Sequence, residues 1–191
     1  DDDGNSIKNK NGYLVIKSPW PAMTRGLLND DERYLETYWS KFKNIWFHGD
    51  YVFVDEDNLW YMRGRTDDVI NISGHRMSTA EIEHAVISHE KISDAASIAI
   101  PDDITGEAIV VFFVTDDKLE IGLESEISNY VSKKIGKVAR PKFVFQLSDL
   151  PKTRTGKIMR RLLKSKLLGT DLGDLSSLEN PNILDEIPKL G

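Results

Sequence analysis

Cysteine is absent from the 191 residues, so disulfides and thiolate metal sites are excluded, which fits a reducing compartment. No apolar run approaches the roughly 18 to 20 residues that span a bilayer. The opening stretch, DDDGNSIKNKNG, has neither the basic start nor the apolar centre of a signal peptide. A cytoplasmic location with no membrane partner is therefore expected. A basic excess is missing as well: 25 Lys and Arg stand against 31 Asp and Glu, for a formal net charge of -6. Nucleic-acid-binding domains carry the reverse balance, so wholesale nucleic-acid binding is not expected. Internal repeats and low-complexity blocks are also lacking. What is present is a 40% hydrophobic, 9% aromatic chain, enough to bury the core of one ordinary domain or two small ones.

The patterning changes partway along the chain. In the first third, YLVIKSPWP reads as a strand stopped by Pro19 and Pro21. DDERYLETYWSKF reads as a short helix capped by Asp30 or Asp31, with Tyr34, Leu35 and Tyr38 at helical spacing. YVFVDEDNLWYMRGR reads as a hairpin turning over Asp55 to Asn58. After Gly64-Arg65-Thr66-Asp67-Asp68, Ser78 and Glu81 form a capping box ahead of Ile82, Ala85, Val86 and His89 on one helical face. DAASIAI and EAIVVFFV read as buried strands separated by a Pro/Asp/Gly loop. GLESEISNYVSKKIG is an amphipathic helix stopped by Gly136, KFVFQL a strand, and IMRRLLKSKLLG a basic helix ended by Gly169. The remaining tail has room for one short helix. The fold class expected is α+β, a β-rich piece over residues 1–66 followed by a small domain of mixed sheet flanked by helices over residues 67–191. The GRTDD step between them is either a hinge, because a glycine beside paired acids can absorb a change of backbone angle, or a plain surface turn.

One stretch works against the overall charge. PKTRTGKIMRR gathers Lys152, Arg154, Lys157, Arg160 and Arg161 within a few residues and sets Gly156 directly before Lys157. Taken alone it is a solvated basic helix start or a nucleic-acid patch.

Three strings in register, WFHGD, GRTDDVINISGHRMSTAEIE and LPKTRTGKIMRR, with the lead-in GYLVIKSPWPAMTRGLLNDDERYLETYWSKFKN, closely resemble the C-terminal part of AMP-forming acyl-CoA synthetases of the acetyl-CoA and propionyl-CoA type. These belong to the adenylate-forming superfamily. The resemblance implies a ligase that activates a short carboxylic acid with ATP and Mg2+ to an acyl-adenylate, then passes the acyl group to CoA. It implies that Lys157 is the adenylation lysine and a target of a protein acetyltransferase and deacetylase. Asp50 would bind the ribose diol, and Arg65 and Arg76 would contact the nucleotide. Asp67 would be the hinge between two catalytic poses, and Ser73 and Gly74 would contact CoA. A metal would be held by the His89 side chain and the carbonyls of Ile87 and Ile92. Residues 1–66 would be the end of the large adenylation domain, whose phosphate loop, adenine site and acyl pocket are not among these residues, so the chain alone is expected to be inactive.

The chemistry is consistent with those roles. Charge develops on the oxygens between the ATP α-phosphate and the carboxylate, where a preorganised cation is worth about 10² to 10³ in rate. A carboxylate accepts two hydrogen bonds from a vicinal diol, and forked guanidinium donors suit ribose and phosphate oxygens. A glycine lets a thin pantetheine arm pass against bare backbone. There are departures from the family pattern: Ser132 stands where an arginine for the CoA phosphate is usual, with Lys133 and Lys134 the nearest cations, and Thr155 replaces a serine. The alternatives are the same part of a longer-chain acyl-CoA ligase or of a carrier-protein-loading enzyme, and a non-catalytic fragment that binds nucleotide or nucleic acid through Lys152 to Lys166.

Overall fold

The computed structural model describes residues 1–115 and 122–190, and the chain separates into two compact units, Asp1–Asp67 and Asp68–Gly191. The first unit is built on a three-stranded antiparallel sheet of order β1-β2-β3, formed by β1 (Asn11–Ile16), β2 (Trp46–Val54) and β3 (Trp60–Arg65). Aromatic and β-branched residues dominate these strands, and their rings close the unit's core. Tyr13 packs edge-on against Phe42 and Phe47 and tilts over Tyr51. Trp20 stacks on Trp46 with 5.1 Å between ring centroids, the kind of contact that adds about 0.5 to 1.5 kcal/mol beyond area burial. Helix α1 (Asp31–Trp39) begins where Asp30 accepts a hydrogen bond from the Arg33 N–H, which satisfies one otherwise orphaned donor. The β2–β3 hairpin turns through Asp55, whose carboxylate accepts from the Leu59 N–H at 2.8 Å.

The second unit places helices on both faces of a mixed sheet. Four antiparallel strands run in the order β5-β4-β7-β6: β4 (Val69–Ile72), β5 (His75–Ser78), β6 (Asp94–Asp102) and β7 (Gly106–Val114). β6 pairs with β7 along its whole length. The other edge of β7 is shared, with β4 meeting it at Gly106 and β8 (Phe143–Gln146) running parallel to Val110–Phe113. Because strand side chains alternate faces, the run IVVFF in β7 serves two cores. Ile109, Val111 and Phe113 pack with Ile82 and Val86 of α2 (Thr79–Ile87) and with Leu123, Ile127 and Val131 of α3 (Leu123–Lys134). Val110 and Phe112 pack on the opposite face with Leu162, Leu163 and Leu167 of α4 (Arg160–Leu168). The tail covers that second core with Ile183, Leu184 and Ile187, around a short 3-10 turn at Pro181–Asp185. A strand buried on both faces reads as a continuous apolar run, which is why β7 lacks alternation in its sequence.

Capping sets the helix ends. The Ser78 side chain accepts from the Ala80 N–H at the start of α2. Gly169 takes φ 66° and ψ 24° at the end of α4, the left-handed stop that glycine makes without strain, and Gly136 just past α3 takes φ 134° and ψ 162°, an extended positive-φ conformation that glycine alone adopts readily. Among the described residues, no helix is long and apolar enough to cross a membrane.

Candidate functional site

In the first unit, Asp50, Arg65 and Asp67 come together. Asp50 on β2 and Arg65 on β3 are register partners, and the β2–β3 register slips immediately afterwards, between Tyr51 and Val52. Such a bulge bends the strand and re-aims the side chains beside it. Arg65 donates from Nε to Asp67 at 3.1 Å and from an Nη to the His48 carbonyl at 3.3 Å, and it lies 3.6 Å from Asp50. His48 Nδ1 sits 2.5 Å from the other Asp50 oxygen. The guanidinium lies flat on Gly49: a Cβ there would meet its Nη2 atom at 2.7 Å, and Gly49 holds φ +90°. That glycine is therefore required on two counts, and it is the reason the Gly-Asp step sits opposite an arginine. The side chain of Asp50 is only 14% exposed, so its carboxylate is presented in a fixed orientation rather than dispersed into solvent.

In the second unit, Ser73, Gly74 and Arg76 share one hairpin. β4 and β5 are joined by Ser73 and Gly74, with φ of +48° and +82°, the two left-handed positions of a tight two-residue hairpin turn. The Ser73 N–H donates to the Thr105 carbonyl at 3.0 Å, which ties the hairpin tip to the turn between β6 and β7. A Cβ on Gly74 would meet nothing within 4 Å, so a ligand can pass along open backbone there. Arg76 faces outward on β5 opposite Asn71. This hairpin was not legible as a pair of strands, because each strand has only four residues and shows too little alternation to count.

Lys157 lies on a third element, a small loop closed by the antiparallel bridge Lys152 to Ile158. Thr153 organises it: its carbonyl accepts from the Gly156 N–H at 2.8 Å, its Oγ1 from the Lys157 N–H at 3.1 Å, and its N–H donates to the Lys157 carbonyl at 2.9 Å. Gly156 takes φ +81° at the bend. The tail clamps the outside of the loop, with Asn180 accepting from the Lys152 N–H and donating to Asp149 and the Leu150 carbonyl.

The basic run divides by role. Lys152 bonds Asp94 at 2.9 Å and Asp149 at 3.0 Å, and the Asp94 bond, opposed by partial burial, holds its ammonium above the ordinary lysine range. Arg160 forms a forked pair with Glu83 at 2.9 and 2.7 Å, which pushes its guanidinium further up. Arg161 donates to the carbonyls of Leu172 and Asp174. The head groups of Arg154 and Lys157 take part in no ion pair or side-chain hydrogen bond among the described residues. A continuous nucleic-acid patch is thus reduced to a minority of its cations, since three of the five are spent inside the fold.

His89 is buried, 8% exposed. Its Nε2 faces Glu126 at 3.2 Å, its Nδ1 accepts from the Lys91 N–H at 3.4 Å, and Tyr130 packs edge-on against the ring. Both ring nitrogens are engaged, and no group of three His, Cys, Asp or Glu gathers among the described residues. The ring packs against α3 through Glu126 and Tyr130.

Residues 81–157 match the AMP-binding enzyme C-terminal domain. The chain is 42% identical over 98% of its length to an acetyl-coenzyme A synthetase of Methanothrix thermoacetophila, covering 30% of that protein. It is 46% identical to one of Rubrobacter xylanophilus, with the same 98% and 30% covered. In structure it is similar to the acetoacetyl-CoA synthetase of Streptomyces lividans, with TM-score 0.83, 26% identity, and 97% of this chain and 29% of that one covered. It is also similar to an anthranilate CoA ligase solved with anthranoyl-AMP, with TM-score 0.72, 26% identity, and 86% and 32% covered. The chain spans about 30% of the length of the curated relatives it matches. Residues 81–157 are thus similar to the AMP-binding enzyme C-terminal domain, and over nearly its whole length the chain is similar to acetyl-coenzyme A synthetases.

Proposed function

We propose that this chain is the C-terminal part of an AMP-forming acetyl-CoA synthetase-like ligase, acting with an upstream adenylation domain on ATP, a short carboxylate and CoA. One observation supports the reading above the others: the two candidate surfaces of the second unit are anchored at opposite ends of one strand. The Lys157 loop is held at Asp94, the first residue of β6, through Lys152. The Ser73–Gly74 tip is held at Thr105, just beyond Asp102, the last residue of β6. At about 3.3 Å per residue, these anchors stand roughly 25 Å apart. Such a unit serves a single reaction centre with both surfaces only by turning between two poses, and Asp67 at the junction of the units is the residue about which it would turn.

In the first pose Lys157 places its ammonium where charge builds between the α-phosphate and the acyl carboxylate. Its loop geometry is set by Thr153 and Gly156, so little reorganisation is needed at the moment of reaction. Asp50, steadied by His48 and Arg65, accepts from the ribose hydroxyls, while Arg65 and Arg76 contact the nucleotide. In the second pose the Gly74 backbone lies along the pantetheine arm, and Ser73 offers a hydroxyl to it. The exposed Lys157 also suits enzymatic acetylation and deacetylation, which would remove and restore the charge. Mg2+ would arrive with ATP, and no step here runs through it.

The test is separation of the half-reactions in the chain joined to its upstream domain. Lys157→Ala is expected to reduce acid-dependent pyrophosphate exchange about 10² to 10³-fold and to leave thioester formation from preformed acyl-adenylate unchanged. Equal loss of both half-reactions would sink the assignment. In the nucleic-acid-binding alternative, Lys157→Ala, Arg160→Ala and Lys164→Ala would weaken binding alike, with a steep salt dependence.

A further inference from the structure

We infer that Asn180 is a positioning residue for Lys157, gripping from the C-terminal tail the stem of the loop that presents the lysine; this rests on the reading above that Lys157 serves adenylation. The Asn180 side chain spans Pro151, which has no N–H of its own to bond. Its Oδ1 accepts from the Lys152 N–H at 3.1 Å, and its Nδ2 donates to the Leu150 carbonyl at 2.8 Å and to Asp149 at 2.9 Å. A primary amide carries donors and an acceptor together, which lets one side chain meet a carbonyl and an N–H on either side of the proline.

The grip continues into the loop backbone. The Glu179 N–H donates to the Lys152 carbonyl at 2.9 Å, and Leu178 forms an antiparallel bridge with Thr153. Thr153 is the residue whose carbonyl and hydroxyl accept from the N–H groups of Gly156 and Lys157. Three consecutive tail residues therefore hold Lys152 and Thr153, and Thr153 holds Lys157. The returning side of the loop is tied to the same stem, because the Met159 N–H donates to the Pro151 carbonyl at 2.7 Å.

The tail is itself fixed on both sides of Asn180. Before it, Arg161 donates to the carbonyls of Leu172 and Asp174. After it, Pro181 opens the short 3-10 turn, and Ile183, Leu184 and Ile187 are buried in the core shared with α4. A residue that precedes proline has restricted backbone angles, so Asn180 has little freedom to follow the loop when the loop moves. Its three side-chain bonds all end on the stem, at Asp149, Leu150 and Lys152, so their loss loosens the loop before it loosens the sheet. Such a support orders the loop in the folded chain and spares Lys157 a search at the moment of reaction.

The experiment uses the chain joined to its upstream domain and compares Asn180→Ala, Lys157→Ala, their double variant, and Ile187→Val, a control that trims one buried methyl of the same tail. Asn180→Ala is expected to slow acid-dependent pyrophosphate exchange about tenfold through kcat, less than loss of the ammonium itself, with thioester formation from preformed acyl-adenylate unchanged. In the Lys157→Ala background the same change is expected to have no further effect, because both substitutions act through one group. Amide hydrogen exchange is expected to quicken over residues 152–158 and to stay unchanged at Val110 to Phe113, and Ile187→Val is expected to keep the ratio of the half-reactions. Unaltered pyrophosphate exchange in Asn180→Ala, an equal loss in both half-reactions, quickened hydrogen exchange in the sheet, a tenfold loss that persists without Lys157, or a changed ratio in Ile187→Val overturns the inference. Each of these leaves the adenylation role standing where Lys157→Ala alone separates the half-reactions. Where Lys157→Ala lowers both equally, that reading falls and this one with it.

Discussion

Arg160→Met should destabilise the second unit by about 3 kcal/mol. The side chain of Glu83 is 10% exposed and bonded by both forks of Arg160 and by the Ser97 N–H at 2.7 Å. Removing one partner of a buried pair costs about 3 to 5 kcal/mol, because the remaining charge is left without compensation. Arg160 is 25% exposed, so water can partly replace it, which selects the lower end. Methionine matches much of the aliphatic stem, so the loss is chiefly electrostatic. The double variant Glu83→Gln, Arg160→Met leaves no orphaned charge, keeps an acceptor for the buried Ser97 N–H, and should recover more than half of the loss. Tryptophan fluorescence would not see the effect, because all four tryptophans lie in the first unit. Amide hydrogen exchange at Ser97 and at Val110 to Phe113 reads the second unit directly, and a 3 kcal/mol loss speeds globally limited exchange by about 150-fold. A single variant losing under about 1 kcal/mol, or a double variant as unstable as the single, would refute the reasoning.

Gly49→Ala is expected to dislodge the Arg65 guanidinium and to cost about 1 to 3 kcal/mol in the first unit, from the 2.7 Å approach and the positive φ together; tryptophan fluorescence during urea unfolding would measure it. Gly74→Ala has open space around its Cβ and carries only the backbone penalty, about 1 kcal/mol, so hydrogen exchange should show a smaller loss in the second unit than the first unit shows for Gly49→Ala. The Lys142 bond first, then the Thr105 donors, hold Asp102 below the ordinary carboxylate range. Its stabilisation is therefore complete above about pH 4 and fades as the pH falls through the lower folded value. Asp102→Asn should flatten the acid limb of the stability curve and leave the limb above pH 5 parallel to wild type. Lys152 is displaced upward, first by Asp94. Its contribution is present below the unfolded lysine value near 10.4 and is lost as the pH rises through the higher folded one, so Lys152→Met should lose the alkaline part of that dependence.

Long elements with a clear local signature were legible from residues alone. The caps at Asp30 and Ser78, the stops at Gly136 and Gly169, and the turn at Asp55 depend on hydrogen bonds and dihedral preferences within a few residues, so their sequence neighbourhood determines them. The apolar runs in β6 and β7 announced burial because no solvent-facing strand keeps so many consecutive aliphatic side chains. The candidate residues Asp50, Arg65, Ser73, Gly74 and Lys157 were named through resemblance, since motif spacing carries the family pattern even where it carries no geometry.

Tertiary structure decided what depends on distant partners. Which cations of the basic run are structural was invisible in PKTRTGKIMRR, because Asp94, Glu83 and the Leu172 carbonyl that hold Lys152, Arg160 and Arg161 come from elsewhere in the chain. The short β4–β5 pair, the parallel docking of β8 on β7 and the engagement of both His89 nitrogens are likewise non-local. A periodic pattern states that a face is buried, and only the folded chain states against what. The physical reason is range: dihedral preference and capping act over a few residues, whereas the charge neighbours that leave Lys157 uncommitted, and separate its loop from the Ser73 tip along β6, exist only once the sheet has formed.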